Sequence, residues 1–385
     1  MMVKLGEIIT QIRGVSYKPS DVRAAGDPDA VALLRANNIQ EDGLNFDDLV
    51  WVDKQKVGAE QYLRLGDILI CSSSGSKGLV GKAAIVTSDL SCAFGAFCKV
   101  VRTKAEYASY LGQFFRSPRY RKEISASAAG ANINNIRNEH IDEMFISMPS
   151  ANERAGCVAK LGQIDYLIQK INNQSHQLDQ LVKSRFVEMF GDITANDRGW
   201  ITRPLGELCT IVRGGSPRPI EQYLGGNIPW IKIGDATEGE SIYLRSTKKH
   251  IIPEGVKKSR MVKAGSLIFA NCGVSLGFAR IITFDGCIHD GWLALEDVDV
   301  SIDKVFLLQT LNQMTAHFRE IAPSGTQPNL NTSIMKSHMQ IIPPMVLQRR
   351  FIDFVSEVDK SKLAVKQSLE KLETLKKSLM QQYFG

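Results

Sequence analysis

The segment Leu5-Gly6-Glu7, followed by Arg13-Gly14, decides the fold because the chain carries it again as Leu205-Gly206-Glu207 followed by Arg213-Gly214. Both parts of the pattern recur after the same offset of 200 residues. A solenoid repeat has a period of only about 20–50 residues. Each copy should therefore be a globular domain in its own right.

Further correspondences keep their order along the two copies, while their offset falls from 200 to 194 residues. Loop deletions within a duplicated gene would shorten the offset in this way, by a few residues at a time, whereas chance similarities would not keep their order. The sequence predicts two related domains, each followed by a long helix. The correspondences are 65–70 with 264–269, Cys92 with Cys287, Pro149 with Pro344, and Phe190-Gly191 with Phe384-Gly385.

The composition is that of an ordinary globular protein. The 385 residues, 44% of them hydrophobic and 23% charged, suffice for two or three domains with their own cores. The start of the chain carries Lys4 and Glu7 and resembles no signal peptide, and no stretch approaches the ~20 apolar residues of a membrane span. Seven cysteines without a Cys-x-x-Cys pair favour a reducing compartment. We therefore expect a cytoplasmic protein without a membrane segment; its net charge of +6 permits a nucleic-acid partner without requiring one.

Both copies are predicted to be mixed α/β (α+β) domains with a strand-rich core. Short runs rich in β-branched residues are bounded by Gly, Ser, Asn or Asp, the pattern of strands. One helix is predicted in each copy, at about 107–125 and 305–321. The strand-like runs are 49–52, 68–70, 83–86 and 97–101 in the first copy, and 228–231, 267–269 and 280–283 in the second.

The segments after Pro149 and Pro344 carry heptad patterns. Apolar residues recur at alternating steps of three and four, as in a coiled-coil seam, with Ser175, Lys362 and Lys376 as polar positions that can fix the register. Each helix could instead pack on its own domain, but two seams at equivalent places favour pairing with each other, in antiparallel orientation. The seam residues are Leu161, Ile164, Ile168, Ile171, Leu178 and Val182, then Val358, Val365, Leu369, Leu372 and Leu379.

Motifs of catalysis are missing from the sequence. It has no P-loop, no His-Glu-x-x-His, and no Asn-Pro-Pro-aromatic or Asp-Pro-Pro-aromatic run of the kind an amino-methyltransferase needs. Cys287-Ile288-His289-Asp290 could supply a nucleophile and a base, but the first copy has Cys92-Ala93-Phe94-Gly95 there. We therefore expect a half-buried strand end at this place, with no catalytic residue and no metal site.

Basic residues and amides concentrate in equivalent loops of both copies. Lys and Arg suit phosphates, while Arg, Asn and Gln can pair with base edges. These loops predict DNA contacts, although any single residue could be a solvated charge or a turn amide. The candidates are Lys18, Arg35, Asn37, Asn38, Lys77, Lys82, Asn132, Asn134, Arg213, Arg218, Lys232, Asn271, Gln327 and Asn329.

Together these features resemble the DNA-specificity subunit of type I restriction–modification systems, over essentially the whole chain. The resemblance rests on an ordered set of motifs that occurs twice, because no single motif is specific. The set comprises the Leu-Gly-Glu opening with its Arg-Gly turn, the strand 63–69 with its Gly/Ser loop, the Gly-x-x-x-Asn loops at 130–134 and 325–329, and the helix starts at 149–154 and 344–349.

The resemblance implies target-recognition domains at 1–150 and 192–344, each reading one half of a bipartite, asymmetric site on double-stranded DNA. It implies that 151–191 and 345–385 are conserved helices that form the antiparallel coiled coil and dock two methyltransferase subunits. Restriction (translocase) subunits would join the same assembly. The chain itself would be non-catalytic and need no cofactor, since S-adenosylmethionine would bind the partner methyltransferase, which flips the target adenine.

A helix from Val158 to Met189 would be about 45–50 Å long, which suits half-site centres roughly 10–14 bp apart. An added heptad in the helices should then lengthen the spacer between half-sites. Two other functions remain open on the residues alone. One is a coiled-coil scaffold with two protein-binding domains and no DNA role; the other, a nuclease or methyltransferase, is disfavoured by the missing motifs.

Overall fold

The computed structural model describes residues 1–76, 78–127, 134–237, 240–273, 275–323 and 329–385, with only the backbone of Asn134. The chain divides into two compact units, Met1–Asn173 with Gln367–Gly385 (unit 1) and Gln174–Lys366 (unit 2). Each unit therefore holds one copy of the repeat and a part of each long helix. The domain boundaries 1–150, 151–191, 192–344 and 345–385 stay a proposal.

Unit 1 is built from short strands of apolar and β-branched residues, as their composition predicts. Its described strands are β1 (Met2–Lys4), β2 (Ile9–Arg13), β3 (Ala30–Leu34), β4 (Val50–Asp53), β5 (Ile68–Cys71), β6 (Ser73–Ser74), β7 (Ala83–Ile85), β8 (Cys92–Phe94), β9 (Cys98–Thr103), β10 (Asn134–Asn135) and β11 (Phe145–Ser147). They form an antiparallel sheet in the order β2-β9-β5-β7 and a sheet β4-β3-β8 in which β3 and β8 are parallel. Two small pairs, β1-β11 and β10-β6, complete the described strands.

Unit 2 repeats this plan. Its described strands are β12 (Thr202–Pro204), β13 (Thr210–Arg213), β14 (Leu224–Ile231), β15 (Tyr243–Leu244), β16 (Lys249–Ile251), β17 (Arg260–Val262), β18 (Leu267–Ala270), β19 (Ala279–Ile282), β20 (Gly286–Ile288), β21 (Trp292–Glu296) and β22 (Met339–Ile341). One sheet has the order β13-β21-β18-β19-β15, and the other has the order β16-β14-β20-β17 with β14 and β20 parallel. The pair β12-β22 matches β1-β11 of unit 1.

The parallel strand pairs correct the alignment of the two copies by one residue. Leu34 lies opposite Phe94 in unit 1, and Ile231 lies opposite Ile288 in unit 2. The equivalent of Cys287 is therefore Ala93, and Cys92 was the wrong match. The loop deletion lies before this strand, so the offset is 194 residues here, and the equivalent bonds of Met148 to Met1 and of Ile342 to Ile201 likewise match Pro149 with Pro343 rather than with Pro344. His289 and Asp290 consequently correspond to Gly95 and Ala96.

The described helices are α1 (Ala105–Phe114), α2 (Pro118–Ser127), α3 (Asn138–Asp142), α4 (Ala151–Phe190), α5 (Leu205–Leu208), α6 (Pro253–Val256), α7 (Lys304–Gln313), α8 (Thr315–Ile321), α9 (Thr332–Ser337) and α10 (Met345–Phe384). The single helix predicted in each copy is thus two helices. In unit 1 the break precedes Pro118, which starts α2 because proline has no N–H to continue α1.

The repeated Phe-Gly pair anchors the end of each long helix. Phe190, at the end of α4, is fully buried in the core of unit 2, with its ring 4.9 Å from that of Phe306 and 5.5 Å from that of Phe351. Phe384, at the end of α10, lies in a core of unit 1, 5.2 Å from the ring of Tyr110. Each helix therefore ends inside a hydrophobic core.

Helices α4 and α10 pair antiparallel within each unit. In unit 1, Lys376 binds Asp165 with 2.6 Å between Nζ and Oδ1, and in unit 2 Lys362 binds Asp179 with the same separation. Moving from 362 to 376 along α10 thus moves back from 179 to 165 along α4. Both seam lysines bind a carboxylate on the other helix, which offsets the partial desolvation of their ammonium groups.

The predicted seam residues lie on the less exposed faces of both helices, at the spacing expected for paired amphipathic helices. Those that are buried are Leu161, Ile164, Val182 and Val358, and those that are half-buried are Ile168, Ile171, Leu178, Val365, Leu369, Leu372 and Leu379. The observed architecture is the expected mixed α/β fold of two strand-rich copies with two long antiparallel helices.

Candidate nucleic-acid interface

In unit 2 the Arg-Gly motif opens a loop, Arg213–Pro219, that runs beside the end of β20. The Gly214 N–H donates to the carbonyl of Trp292 over 2.9 Å. A Cβ at position 214 would lie only 2.2 Å from the carbonyl oxygen of His289, so glycine is required for this approach. The motif therefore sets the path of the loop and places its arginines.

Asp290 gathers the side chains of this loop. The Ser216 hydroxyl donates to Asp290 Oδ1 over 2.9 Å, and Arg218 Nη2 donates to Oδ2 over 3.1 Å. Arg213 Nε donates to the Asp290 carbonyl over 3.2 Å, and His289 Nε2 lies 3.0 Å from Oδ1. The predicted DNA candidates Arg213 and Arg218 thus both bind Asp290, Arg213 at the backbone carbonyl and Arg218 at the carboxylate.

The charges of this cluster follow from its hydrogen bonds. His289 Nδ1 accepts the Gly291 N–H over 2.9 Å, so the proton of the neutral ring sits on Nε2 and is donated to Asp290. Burial lowers the pKa of His289, against the attraction of Asp290. Burial alone would raise the pKa of the Asp290 carboxyl, but His289, Ser216 and Arg218 together hold it below its usual value. At neutral pH the cluster therefore combines one carboxylate, a neutral imidazole and two guanidinium groups.

Lys232 lies next to this cluster, after β14. Its backbone N–H donates to Asp235 Oδ2 over 2.8 Å, and its ammonium lies 5.8 Å from the centroid of the Trp230 ring. The Trp230 and His289 rings are 5.7 Å apart. The ion pairs found among the described residues include none for Lys232, so its charge is available to a phosphate.

Asn271, just after β18, has an internal role. It is fully buried, and its Nδ2 donates to Asn329 Oδ1 and to the Leu330 carbonyl, both over 3.0 Å. Its backbone N–H donates to the Gly291 carbonyl over 3.0 Å. These bonds fix half-buried Asn329 beside the Asp290 cluster and keep Asn271 itself away from any base, which corrects its assignment to DNA. Gln327 lies outside the described residues.

In unit 1 the equivalent place after β3 is held by Arg35. Its Nη2 donates to both the carbonyl and Oδ2 of Asp48 over 2.7 Å, and exposed Asn37 donates to the same carboxylate over 3.2 Å. Asn38 is fully buried: its Oδ1 accepts the Arg35 N–H over 2.8 Å, and its Nδ2 donates to the Asp47 carbonyl over 2.7 Å. Arg35 and Asn37 stay available to DNA, whereas Asn38 builds the turn and is withdrawn as a contact.

Two further candidates of unit 1 differ in their surroundings. Half-buried Lys82 donates to Gln40 Oε1 over 3.3 Å, and Gln40 Nε2 donates to the Asn37 carbonyl over 2.7 Å, so Lys82 belongs to the Arg35 loop. Lys18 is exposed, and the ion pairs of the described residues include none for its ammonium. Lys77 and Asn132 lie outside the described residues, and of Asn134 only the backbone, paired with Ser74, is described.

The sequence did not predict the acidic and hydroxyl groups that hold the basic residues, above all Asp48, Ser216 and Asp290, the last of which it raised only within a disfavoured catalytic pattern. Nothing in the local sequence marks this role, because an Asp in a polar loop is most often a solvated turn residue. One signal was present: Ser216 and Arg218 flank a proline in the second Arg-Gly loop, which restricts the backbone there.

At Cys287 and His289 the geometry does not pair a nucleophile with a base. The Cys287 thiol is buried and its pKa is raised by burial, although a hydrogen bond from Ser259 opposes the shift. His289 has both ring nitrogens engaged by Gly291 and Asp290. Within the described ranges, no group of three or more His, Cys, Asp or Glu side chains could hold a metal ion, and no helix is long and apolar enough to cross a membrane.

Comparison with known proteins points in one direction. A family model for the type I restriction modification DNA specificity domain matches residues 197–375. The StySPI specificity subunit of Salmonella potsdam is 28% identical over 98% of this chain and 86% of that relative. The EcoKI specificity subunit of Escherichia coli (strain K12) is 29% identical over 73% of this chain and 63% of that relative.

Two solved structures share the fold across the whole chain. One, from a study of complex assembly and conformational transition of the type I R-M system, gives a TM-score of 0.59 at 17% identity and is covered to 97%. The other, the type I restriction–modification S subunit from M. genitalium, gives a TM-score of 0.54 at 16% identity and is covered to 96%. The chain is thus similar to type I restriction–modification specificity subunits in the domain matched at 197–375, in relatives aligned over most of its length, and in its duplicated fold.

Proposed function

We propose that this chain is the DNA-recognition subunit of a type I restriction–modification complex, and that each copy of the repeat reads one half of a bipartite, asymmetric site. One observation carries the proposal: equivalent loops of the two units carry different side chains. In unit 1 these are Arg35 and Asp48, and in unit 2 they are Lys232, Arg218 and Asp290. Equivalent loops with unlike side chains would read unlike half-sites.

The side chains divide by chemistry into positioning and reading groups. Lys18 and Lys232, which lack carboxylate partners among the described ion pairs, suit phosphates. Arg35, Asn37 and Arg218 have donors near a carboxylate and suit base edges, where hydrogen bonds distinguish base pairs. Affinity would come mainly from the first group and specificity from the second.

The chain would direct two adenine methyltransferase subunits and the restriction subunits to the site in the cytoplasm, without catalysing a reaction itself. S-adenosylmethionine would bind the methyltransferase. Apolar residues exposed on the long helices are the candidates for contacts with these partners. Tyr166 is 59% exposed and Leu181 47% on α4, and Leu363 is 52% exposed and Leu375 48% on α10.

Selection of binding sites from randomised DNA tests the proposal. The chain is co-expressed with its methyltransferase, and the purified complex selects duplexes at physiological salt. The expected product is one split motif with two unequal halves at a fixed spacing, which a heptad added to both helices should lengthen. Recovery of unselected sequence, at the affinity of non-specific binding, would instead support a coiled-coil scaffold with two protein-binding domains.

A further inference from the structure

Among the differences between the two Arg-Gly loops, one pair of positions lies on opposite sides of the loop. Lys18 in unit 1 corresponds to Arg218 in unit 2, and Ala96 corresponds to Asp290. The backbone is the same at the start of both loops, since the Val15 and Gly215 N–H groups donate to the equivalent carbonyls of Phe94 and Ile288. At this position unit 2 therefore has an arginine that is bound to a carboxylate, whereas unit 1 has a lysine without an ion pair among the described residues.

Arg218 is exposed but held in place. Its side chain is 79% exposed, and a single bond of 3.1 Å joins its Nη2 to Asp290 Oδ2. Asp290 is itself fixed by Ser216 and His289. Proline stands on both sides of Arg218, and proline restricts the backbone before and after it. One nitrogen of the guanidinium is thus bound to Asp290, and the other N–H donors of the group face solvent.

This arrangement favours a guanine over a phosphate. The guanidinium fork matches O6 and N7 of guanine in the major groove, the commonest specific contact of arginine. A phosphate at the same place would also lie close to the ionised Asp290, and two anions repel each other. A cytosine next to the guanine would instead be attracted to Asp290, because its N4 amino group can donate a hydrogen bond to the carboxylate.

We propose that Arg218 reads a guanine in the half-site of the second recognition domain, with Asp290 as the positioning residue that holds its side chain, whereas Lys18 contacts a phosphate at the equivalent place of the first. The inference rests on the proposed function and deepens it. It also gives a physical reason for an asymmetric target, since the two loops would make different kinds of contact.

The test measures affinities of the complex with its methyltransferase for the selected target and for every single base-pair change in it. Arg218→Ala should weaken binding to the target about 10- to 100-fold. The loss should concern one G·C pair alone: at that position the variant should bind all four base pairs about equally, with every other preference retained. Asp290→Asn should weaken the same preference partly and leave the others unchanged.

The chain supplies two matched controls. Lys18→Ala should weaken binding to all DNA sequences by the same factor. It should also reduce the slope of log K against log salt by about 1. Arg245→Ala should change neither affinity nor preference. Arg245 is also an exposed arginine bound to a carboxylate, Glu240, but it follows β15, at the sheet edge opposite β13.

Two results would overturn the inference. If Arg218→Ala weakens binding to all DNA sequences equally and lowers the slope of log K against log salt, Arg218 contacts a phosphate. If the variant keeps the affinity and preferences of the original complex, Arg218 makes no contact with DNA. A failure of the proposed function would look different, because the unaltered complex would then prefer no sequence at all, and the inference would fall with it.

Discussion

Replacing Gly214 by alanine should distort the Arg-Gly loop of unit 2. The added Cβ would lie 2.2 Å from the His289 carbonyl oxygen and 2.8 Å from that of Ile288. Close carbon–oxygen contacts in proteins are about 3.3 Å long, so the loop would have to move by roughly 1 Å away from Asp290. Overpacking of this kind costs about 1–3 kcal/mol. The same substitution should loosen the bonds that hold Ser216 and Arg218.

Amide hydrogen exchange measures this loss for each unit separately, because protection reports local stability. Gly214→Ala should lower protection in unit 2 alone, and Gly14→Ala, whose Cβ would lie 2.1 Å from the Gly95 carbonyl oxygen, in unit 1 alone. Gly234→Ala is the control, since no atom lies within 4 Å of its Cβ, and it should stay within about 0.5 kcal/mol. Equal protection in Gly214→Ala and Gly234→Ala would refute the close-approach explanation of the motif.

Three further changes test other parts of the structure. In denaturant titrations, Phe190→Ala should lower the unfolding free energy by about 3–5 kcal/mol because it leaves a cavity in the aromatic core of unit 2. Phe97→Ala, at a residue that is 69% exposed, should change the unfolding free energy by no more than about 0.5 kcal/mol. Asp165→Asn should cost about 1–3 kcal/mol because Arg116 and Lys376 both lose their carboxylate; a loss no larger than that of Glu357→Gln, in an exposed pair with Lys360, would contradict this. Burial lowers the pKa of His338 from 6.5 to about 4, so the unfolded chain binds a proton that the folded one does not in this range. Stability should therefore fall as the pH drops from about 6.5 to 4, and a pH series in which His338→Gln falls as steeply would count against that origin.

The duplication could be predicted because glycine and apolar residues are constrained by geometry. Gly14 and Gly214 approach a carbonyl that leaves no space for a Cβ, and the Phe-Gly pairs end helices in cores, so these residues persist in both copies. Heptad spacing likewise marked the less exposed faces of the long helices, since only that spacing keeps one stripe of side chains toward a partner helix.

The site could be predicted only in outline. Asn38 and Asn271 look like base-reading amides in the sequence, yet both are buried and bind neighbouring backbone. The adjacent residues do not separate a structural amide from an exposed one, because the difference lies in which other segment packs over it; for Asn271 that segment is 59 residues away. The same holds for Asp290, which binds Arg218 from 72 residues away, whereas Asp48 binds Arg35 of its own loop, 13 residues away.

The central claim is that this chain gives a modification complex its DNA sequence specificity. The most direct test is single-molecule sequencing of modified bases in cells with and without the gene, with the methyltransferase genes of the cell intact. We expect a split, asymmetric motif with a methyladenine in each half to disappear with the gene and to return when the gene is restored. Persistence of every modified motif in the absence of the chain would contradict the claim.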